Sequence, residues 1–180
     1  GIVLRQDGRM WKTGLRMQLA KFLLSGLCAC AFTAQAGLPD YQAFAAAGAQ
    51  RLLWVASEHG RAAPELHAAQ QLAAQGIEVW SLDLVNAYFL PQLPGSMDDV
   101  PVQDLTDWLR LAQDGGKRVT VLAVARAAVP VLRAAARLDP ARRNRLCVLL
   151  MYPNLYTVAE PLAEPAYLEV GDLSGLRVRV

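Results

Sequence analysis

The chain has 180 residues and a mass of 19.6 kDa; 54% of its residues are hydrophobic, 19% are charged, and its formal net charge is +2. This length suffices for one domain with a full core, and the apolar fraction excludes an intrinsically disordered chain. The charge is uneven, because residues 1–36 hold five basic residues and one acidic residue, which leaves the remainder at −2. That remainder has a single lysine, Lys117, so no nucleic-acid partner is expected.

The first feature along the chain is a predicted export signal. Lys21 precedes a short apolar run, Phe22–Phe32, and the small residues Ala34 and Ala36 stand just before Gly37. A basic segment, an apolar core and small residues at positions −3 and −1 are the three parts of a secretory signal peptide. The run is shorter than the roughly 20 apolar residues that cross a bilayer. We therefore expect cleavage after Ala36 and a periplasmic or secreted protein with no transmembrane span.

Two alternatives remain for the amino-terminal segment. Translation can begin at Met10 or Met17, and Met17 gives the more compact signal. The run Leu27–Cys30 resembles a bacterial lipobox, so a lipid anchor at Cys30 in an outer-membrane lipoprotein is the less favoured alternative. An amphipathic helix is disfavoured because the run has no polar face. Outside the signal only Cys147 remains, which excludes an internal disulfide and argues against a cysteine metal site.

The rest of the chain, residues 37–180, alternates predicted strands and helices. Five runs rich in Val, Leu, Ile and Trp predict strands: Arg51–Ala56, Ile77–Asp83, Arg118–Ala125, Arg145–Tyr152 and Leu176–Val180. Apolar stripes at helical spacing predict helices between them: Pro64–Gln75, Val102–Ala112 and Val129–Ala136. This alternation predicts an α/β fold with a mostly parallel sheet and helices on both of its faces. Residues 86–101 are expected to form one long irregular connection.

The carboxyl ends of the predicted strands carry the candidate site residues, because ligands bind at these ends in open α/β sheets. The candidates are Ser57, His59 and Gly60 after the first strand, Asp83 and Asn86 after the second, and Ala125 and Arg126 after the third. Together they predict a pocket for a small polar ligand. No cofactor and no metal are expected.

Three features carry a resemblance to the α/β-hydrolase fold superfamily, in particular to its exported bacterial members. They are His59-Gly60 after the first strand, the run Val79–Asp83, and a strand, sharp turn and helix at residues 118–136. The resemblance covers about residues 48–180 and implies a Gly-x-Ser-x-Gly nucleophile elbow after the third strand. The matching residues are Ala123-Val124-Ala125-Arg126-Ala127. Ala125 therefore stands in the place of the nucleophilic serine, between small residues that still permit the turn.

Because alanine has no oxygen to attack a carbonyl, the resemblance implies a pseudoenzyme that binds a small molecule or a protein partner. In the family, the catalytic acid and histidine follow later strands, whereas this sequence stops at Val180 inside a predicted strand, so we expect a C-terminally truncated domain. The alternative is an active esterase-like hydrolase with catalytic residues partly beyond Val180 and Ser57 as substitute nucleophile. A flavodoxin-type fold is disfavoured, because no Gly-rich phosphate loop follows the first strand.

Several weaker motifs receive structural interpretations. His67 is expected on a helix surface, and the loop around His59 is expected to act through its backbone. Asp98 and Asp99 precede a predicted helix, whose positive end favours carboxylates. The run Arg142–Arg145 is interpreted as a solvated surface at a turn between a helix and a strand, and residues 115–117 lack the remainder of a P-loop.

Overall fold

The computed structural model describes residues 37–157, 164 and 166–180. The predicted signal segment, with Cys28, Cys30, Ala34 and Ala36, lies outside the described residues. The strands are β1 (Tyr41–Phe44), β2 (Gln50–Val55), β3 (Ile77–Leu82), β4 (Arg118–Val124), β5 (Cys147–Met151) and β6 (Arg177–Arg179). The helices are α1 (Ala63–Ala74), α2 (Leu84–Ala87), α3 (Val102–Asp114), α4 (Ala128–Ala136) and α5 (Pro140–Arg145), with 3-10 turns at Pro94–Asp99 and Ala125–Ala127.

The six strands form one mixed sheet in the order β1-β3-β2-β4-β5-β6. β1 runs antiparallel to β3, whereas all other neighbours are parallel. The predicted mostly parallel sheet is therefore confirmed, and the five predicted apolar runs are β2 to β6. β1 was not predicted, because it has only four residues, of which the middle two are exposed, and contains no continuous apolar run.

The strand order determines where the helices lie. β3 and β4 flank β2 on opposite sides, so right-handed crossovers place α1 and α3 on opposite faces of the sheet. The crossover from β4 to β5 continues in the direction of the one before it, which places α4 on the same face as α3. The contacts agree, since α3 packs against α4 while α1 packs against β3 and β1. Helices therefore cover both faces, as predicted.

The main core lies between the sheet and the helices α3 and α4. Leu53 and Val55 of β2 are fully buried, because alternate residues of a strand point to the same face. Trp108 of α3 is also fully buried and lies close to two other aromatic rings. Its ring centroid is 5.9 Å from that of Tyr41 and 6.4 Å from that of Trp80. This aromatic cluster ties β1 and β3 to α3.

The run 142–145 is part of a helix and not of a turn; Asn144 and Arg145 are exposed, as a solvated surface requires, whereas Arg143 is buried. Asp139 begins the helix α5, because its Oδ1 atom accepts a hydrogen bond of 2.9 Å from the backbone N–H of Arg142. Pro140 then occupies the first turn, where a missing N–H costs nothing. Arg143 is buried, and its guanidinium donates to the backbone oxygens of Ala136 and Asp172. Within the described residues, no helix combines the length and apolar character needed to cross a membrane.

A charge cluster around Glu78 of β3 gives a pH-dependent prediction. Partial burial opposes ionisation, but hydrogen bonds from Lys117, Trp80 and Arg51 prevail and lower the pKa of the Glu78 carboxyl. A carboxylate with a lowered folded-state pKa stabilises the fold above its unfolded pKa of about 4.3, and this contribution disappears as the pH falls through the folded value.

We therefore expect Glu78→Gln to lower the free energy of unfolding by about 1–2 kcal/mol at neutral pH. The difference from the wild type is expected to shrink as the pH falls below about 4. Urea unfolding followed by circular dichroism at several pH values measures both effects. Asp107→Asn is the matched control, because it removes the exposed pair of Asp107 with Arg110 and is expected to cost less than about 1 kcal/mol. A constant deficit across this pH range contradicts the prediction.

Candidate functional site

β4 passes into α4 through a sharp turn with Ala125 at its apex. The φ angle of Ala125 is 52°, in the left-handed region, which costs a residue with a Cβ atom about 1–2 kcal/mol. Ala123 and Ala127 on either side are fully buried, so only small side chains fit beside the turn. Ala125 itself is half-buried. The turn therefore presents a methyl group at the carboxyl end of a central strand.

The backbone at this turn is hydrogen-bonded to two other loops. The backbone N–H of Arg126 donates to Oε2 of Glu58 at 3.0 Å, and Glu58 belongs to the loop after β2. The carbonyl oxygen of Ala125 accepts from the backbone N–H of Asn154, after β5, at 3.2 Å. Glu58 is only 6% exposed and forms no ion pair within the described residues. Its carboxylate therefore lies against the turn, with a backbone amide as donor.

The side chain of Arg126 points into the protein beneath the turn. It is 1% exposed, and its guanidinium donates to Oδ2 of Asp98 at 2.8 Å and to the carbonyl oxygen of Tyr156. Asp98 precedes α3, as predicted, but no side chain of the described residues caps that helix, and the carboxylate of Asp98 pairs with Arg126 instead. The sequence predicted that Arg126 would contact a ligand, whereas its guanidinium is bonded to groups of the protein itself.

A second group of candidates meets around Asp83. This carboxylate accepts from the backbone N–H of Arg61 at 2.9 Å and from the side-chain amide of Asn86 at 2.7 Å. It also begins α2 by accepting from the backbone N–H of Asn86 at 3.1 Å. Gly60 has a φ angle of 81°, and a Cβ atom there would lie 3.4 Å from Asp83 Oδ2. The structure therefore brings together Gly60, Asp83 and Asn86.

The remaining candidates lie in the turn that follows β2. The hydroxyl oxygen of Ser57 accepts from the backbone N–H of His59 at 3.3 Å. The side chain of His59 is exposed. His67 is exposed on α1 and forms a hydrogen bond of 2.9 Å with Gln71. No hydrogen bond joins either histidine to the turn at Ala125. Among the described residues, no three His, Cys, Asp or Glu side chains are grouped to hold a metal ion.

An open groove of about 510 Å³ lies beside the Asp83 group, between β1 and the start of α2. Its lining includes Asp40, Tyr41, Arg61, Asp83, Asn86 and Phe89. Of the seven predicted pocket residues, only Asp83 and Asn86 line this groove. Phe89 stands 94% exposed at a φ angle of 51°. The groove thus combines polar groups with an exposed aromatic ring.

Sequence reasoning missed two residues that shape the site. Glu58 belongs to no motif in the sequence, and its partner Arg126 is 68 positions away. Tyr41 belongs to the unpredicted strand β1. The one signal in the sequence that could have identified Glu58 is its position as a charged residue between the end of an apolar strand and a turn.

No protein-family model and no curated protein matches the sequence. Among solved structures, the chain is similar to a crystal structure described as a "Putative Dienelactone Hydrolase" from Klebsiella pneumoniae subsp. pneumoniae, with a TM-score of 0.45 and 17% identity. The match covers 68% of this chain and 55% of that chain, so the chain spans about half the length of that protein. The strand order, the helices on both faces and the strand–turn–helix at Ala125 define an α/β-hydrolase-like fold.

Proposed function

We propose that this chain is an exported α/β-hydrolase-like protein that lacks serine-hydrolase activity and binds a small polar molecule or a protein partner at the carboxyl ends of its strands. The observation that carries the proposal is the contact of Glu58 with the backbone N–H of Arg126, directly beside Ala125. The turn keeps a strained conformation, whereas the groups that hydrolysis needs are replaced or engaged.

The contact of Glu58 with the Arg126 N–H disfavours the stabilisation of a reaction intermediate. In α/β-hydrolases the backbone N–H after the nucleophile donates to the oxyanion that forms during acyl transfer. Here the corresponding N–H, that of Arg126, already donates to a carboxylate oxygen at 3.0 Å. A negatively charged oxyanion in the same place is disfavoured by repulsion from Glu58 and by competition for the one donor.

The described residues also provide neither a nucleophile at the turn nor a base beside a substitute nucleophile. Ala125 has no attacking atom, and loss of the serine in a measured triad costs on the order of 10⁶ in kcat. Ser57 is the substitute nucleophile of the esterase alternative, but its oxygen accepts from the backbone N–H of His59, and no imidazole is hydrogen-bonded to it. A serine without a base in hydrogen-bond contact is a weak nucleophile.

The groove of 510 Å³ supports the binding part of the proposal. Its volume lies within the usual range for small-molecule sites, about 300–1,000 Å³. Asp83 fixes the neighbouring backbone through Arg61 and Asn86, so the floor of the groove is held in place before a ligand arrives. The exposed ring of Phe89 offers an apolar contact at its edge. Such a combination suits a small polar ligand with one apolar face.

We expect no measurable hydrolysis of p-nitrophenyl acetate by the wild-type chain. Ala125→Ser alone is expected to stay at the background rate, because Glu58 still occupies the Arg126 N–H and no base contacts the new hydroxyl. Adding Glu58→Ala frees the N–H but supplies no base, so it is also expected to be inactive. Steady-state assays of these variants and of Ser57→Ala test the proposal. Wild-type turnover that is abolished by Ser57→Ala would establish the esterase alternative instead.

The export part of the proposal has a separate test. The signal pattern at Lys21–Ala36 leads us to expect that the mature protein begins at Gly37. Fractionation of a Gram-negative host followed by amino-terminal sequencing of the periplasmic protein measures this. A lipid-modified Cys30 would assign the protein to the outer membrane, and full-length protein retained in the cytoplasm would refute export.

A further inference from the structure

A basic groove lies at the edge of the sheet opposite to the site described above. It has a volume of about 450 Å³ and is lined by Gln113, Lys117, Arg118, Asn144, Arg145 and Arg177, among others. β4, β5 and β6 are parallel, so their amino ends meet at this edge. We refer to this cavity as the basic groove.

The register of the strands, together with the end of α5, explains why three arginines face the same cavity. Thr120 of β4 and Arg177 of β6 both pair with Cys147 of β5. Arg118 lies two residues before Thr120, and Arg145 lies two residues before Cys147. Because side chains of a strand repeat every two residues, Arg118 and Arg177 share one face of the sheet. Arg145 is the last residue of the helix α5, just before β5, and lines the same groove. Their guanidinium groups therefore line a common surface.

The described part of the chain does not neutralise these arginines. Within the described residues, Arg118, Arg145 and Arg177 form no ion pair. The nearby acidic groups are already engaged, since Glu78 pairs with Lys117 at 2.7 Å and Asp114 pairs with Arg142 at 2.7 Å. Like charges that line one groove repel each other. An anion between them removes that repulsion.

Of the three arginines, only Arg145 has a position that the dipole of a helix favours. Arg145 ends α5, where a cation is favoured by the helix dipole. Arg118 and Arg177 begin strands, and strands have no comparable dipole. Residues 37–180 carry 13 basic and 15 acidic side chains. Three arginines in one groove, without an ion pair to any described residue, are therefore a local excess within a net acidic body.

We propose that the basic groove binds a phosphate-bearing anion. Guanidinium groups donate paired hydrogen bonds that match the oxygens of a phosphate, and three of them line this one groove. Gly116, with a φ angle of 71°, lines the groove without a side chain, which leaves room for the remainder of the ligand. The volume accommodates a phosphorylated small molecule or the headgroup of a phospholipid.

Isothermal titration calorimetry of the full chain with inorganic pyrophosphate at low ionic strength tests the proposal. We expect saturable binding that each of Arg118→Gln, Arg145→Gln and Arg177→Gln weakens about tenfold. Arg137→Gln is the matched control, because Arg137 is exposed, lies outside the groove and forms no ion pair within the described residues. The control is expected to bind like the wild type.

A second arm distinguishes a soluble ligand from a lipid. Sedimentation with phosphatidylglycerol vesicles is compared with sedimentation with phosphatidylcholine vesicles. Binding to pyrophosphate alone assigns a soluble phosphate compound, and arginine-dependent binding to phosphatidylglycerol alone assigns a lipid headgroup. Absence of binding in both arms, or an equal loss in Arg137→Gln, overturns the proposal. The groove shares no residue with the opposite edge, so this result is independent of the esterase assays.

Discussion

Replacement of Arg126 by methionine is expected to lower the free energy of unfolding by about 3 kcal/mol, because it removes one partner of a largely buried ion pair. The side chain of Arg126 is 1% exposed and that of Asp98 is 29% exposed. Methionine fills much of the same space but leaves Asp98 and the carbonyl oxygen of Tyr156 without their donor. The partial exposure of Asp98 lets water compensate some of the loss, which places the effect at the lower end of measured buried pairs.

Chemical denaturation of the variant and the wild type measures this difference. Arg110→Met is the matched control, since it breaks the exposed pair with Asp107 and is expected to cost less than about 1 kcal/mol. The double variant Arg126→Met with Asp98→Asn is expected to recover part of the loss, because no uncompensated carboxylate remains. An Arg126→Met protein as stable as the control would show that the ion pair contributes nothing to the fold.

Trp108→Ala is expected to be the most damaging substitution in the core, with a loss of about 3–5 kcal/mol. The indole is fully buried and lies beside the aromatic rings of Tyr41 and Trp80. Its removal takes apolar contacts away from β1 and β3 and leaves a cavity. Urea unfolding followed by far-ultraviolet circular dichroism measures the loss without relying on tryptophan fluorescence.

Two variants separate packing from polarity at this position. Within the described residues the Nε1 atom of Trp108 has no hydrogen-bond partner. Trp108→Phe removes this unsatisfied N–H and retains most of the ring, so its cost is expected to stay below about 1.5 kcal/mol. Leu111→Ala, on the exposed side of α3, is expected to cost less than about 1 kcal/mol. A Trp108→Ala protein as stable as Leu111→Ala contradicts the assignment of the core.

Local patterns in the sequence predicted the buried strands, because a short, continuous apolar run rich in Val, Leu and Ile is typical of a strand covered on both faces. β1 escaped prediction since its pairing with β3, as in Tyr41 opposite Leu82, depends on a strand far along the chain. α5 escaped because Asp139-Pro140 also fits the end of a helix, although Asp followed by Pro is a good helix start. The pattern alone does not distinguish these two meanings.

The candidate site was predictable in its location but not in its contacts. The rule that ligands bind at carboxyl strand ends placed Gly60, Asp83 and Asn86 near one another, and the structure brings them together. Arg126 resembled a ligand contact in the sequence because an arginine beside a turn is usually solvated. Its burial depends on Asp98 and Tyr156, which lie 28 and 30 positions away, and no local signal encodes such a pairing.

The two backbone hydrogen bonds at the turn have a mechanical consequence. The carbonyl oxygen of Ala125 and the N–H of Arg126 belong to a single peptide plane, which is held by Asn154 on one side and by Glu58 on the other. A flip of that plane therefore breaks both bonds at once, and a shift of either loop pulls on the plane that the other loop holds. One amide group therefore connects the segments that follow β2, β4 and β5. A displacement of Glu58, in the segment after β2, is transmitted through this amide to the segments after β4 and β5.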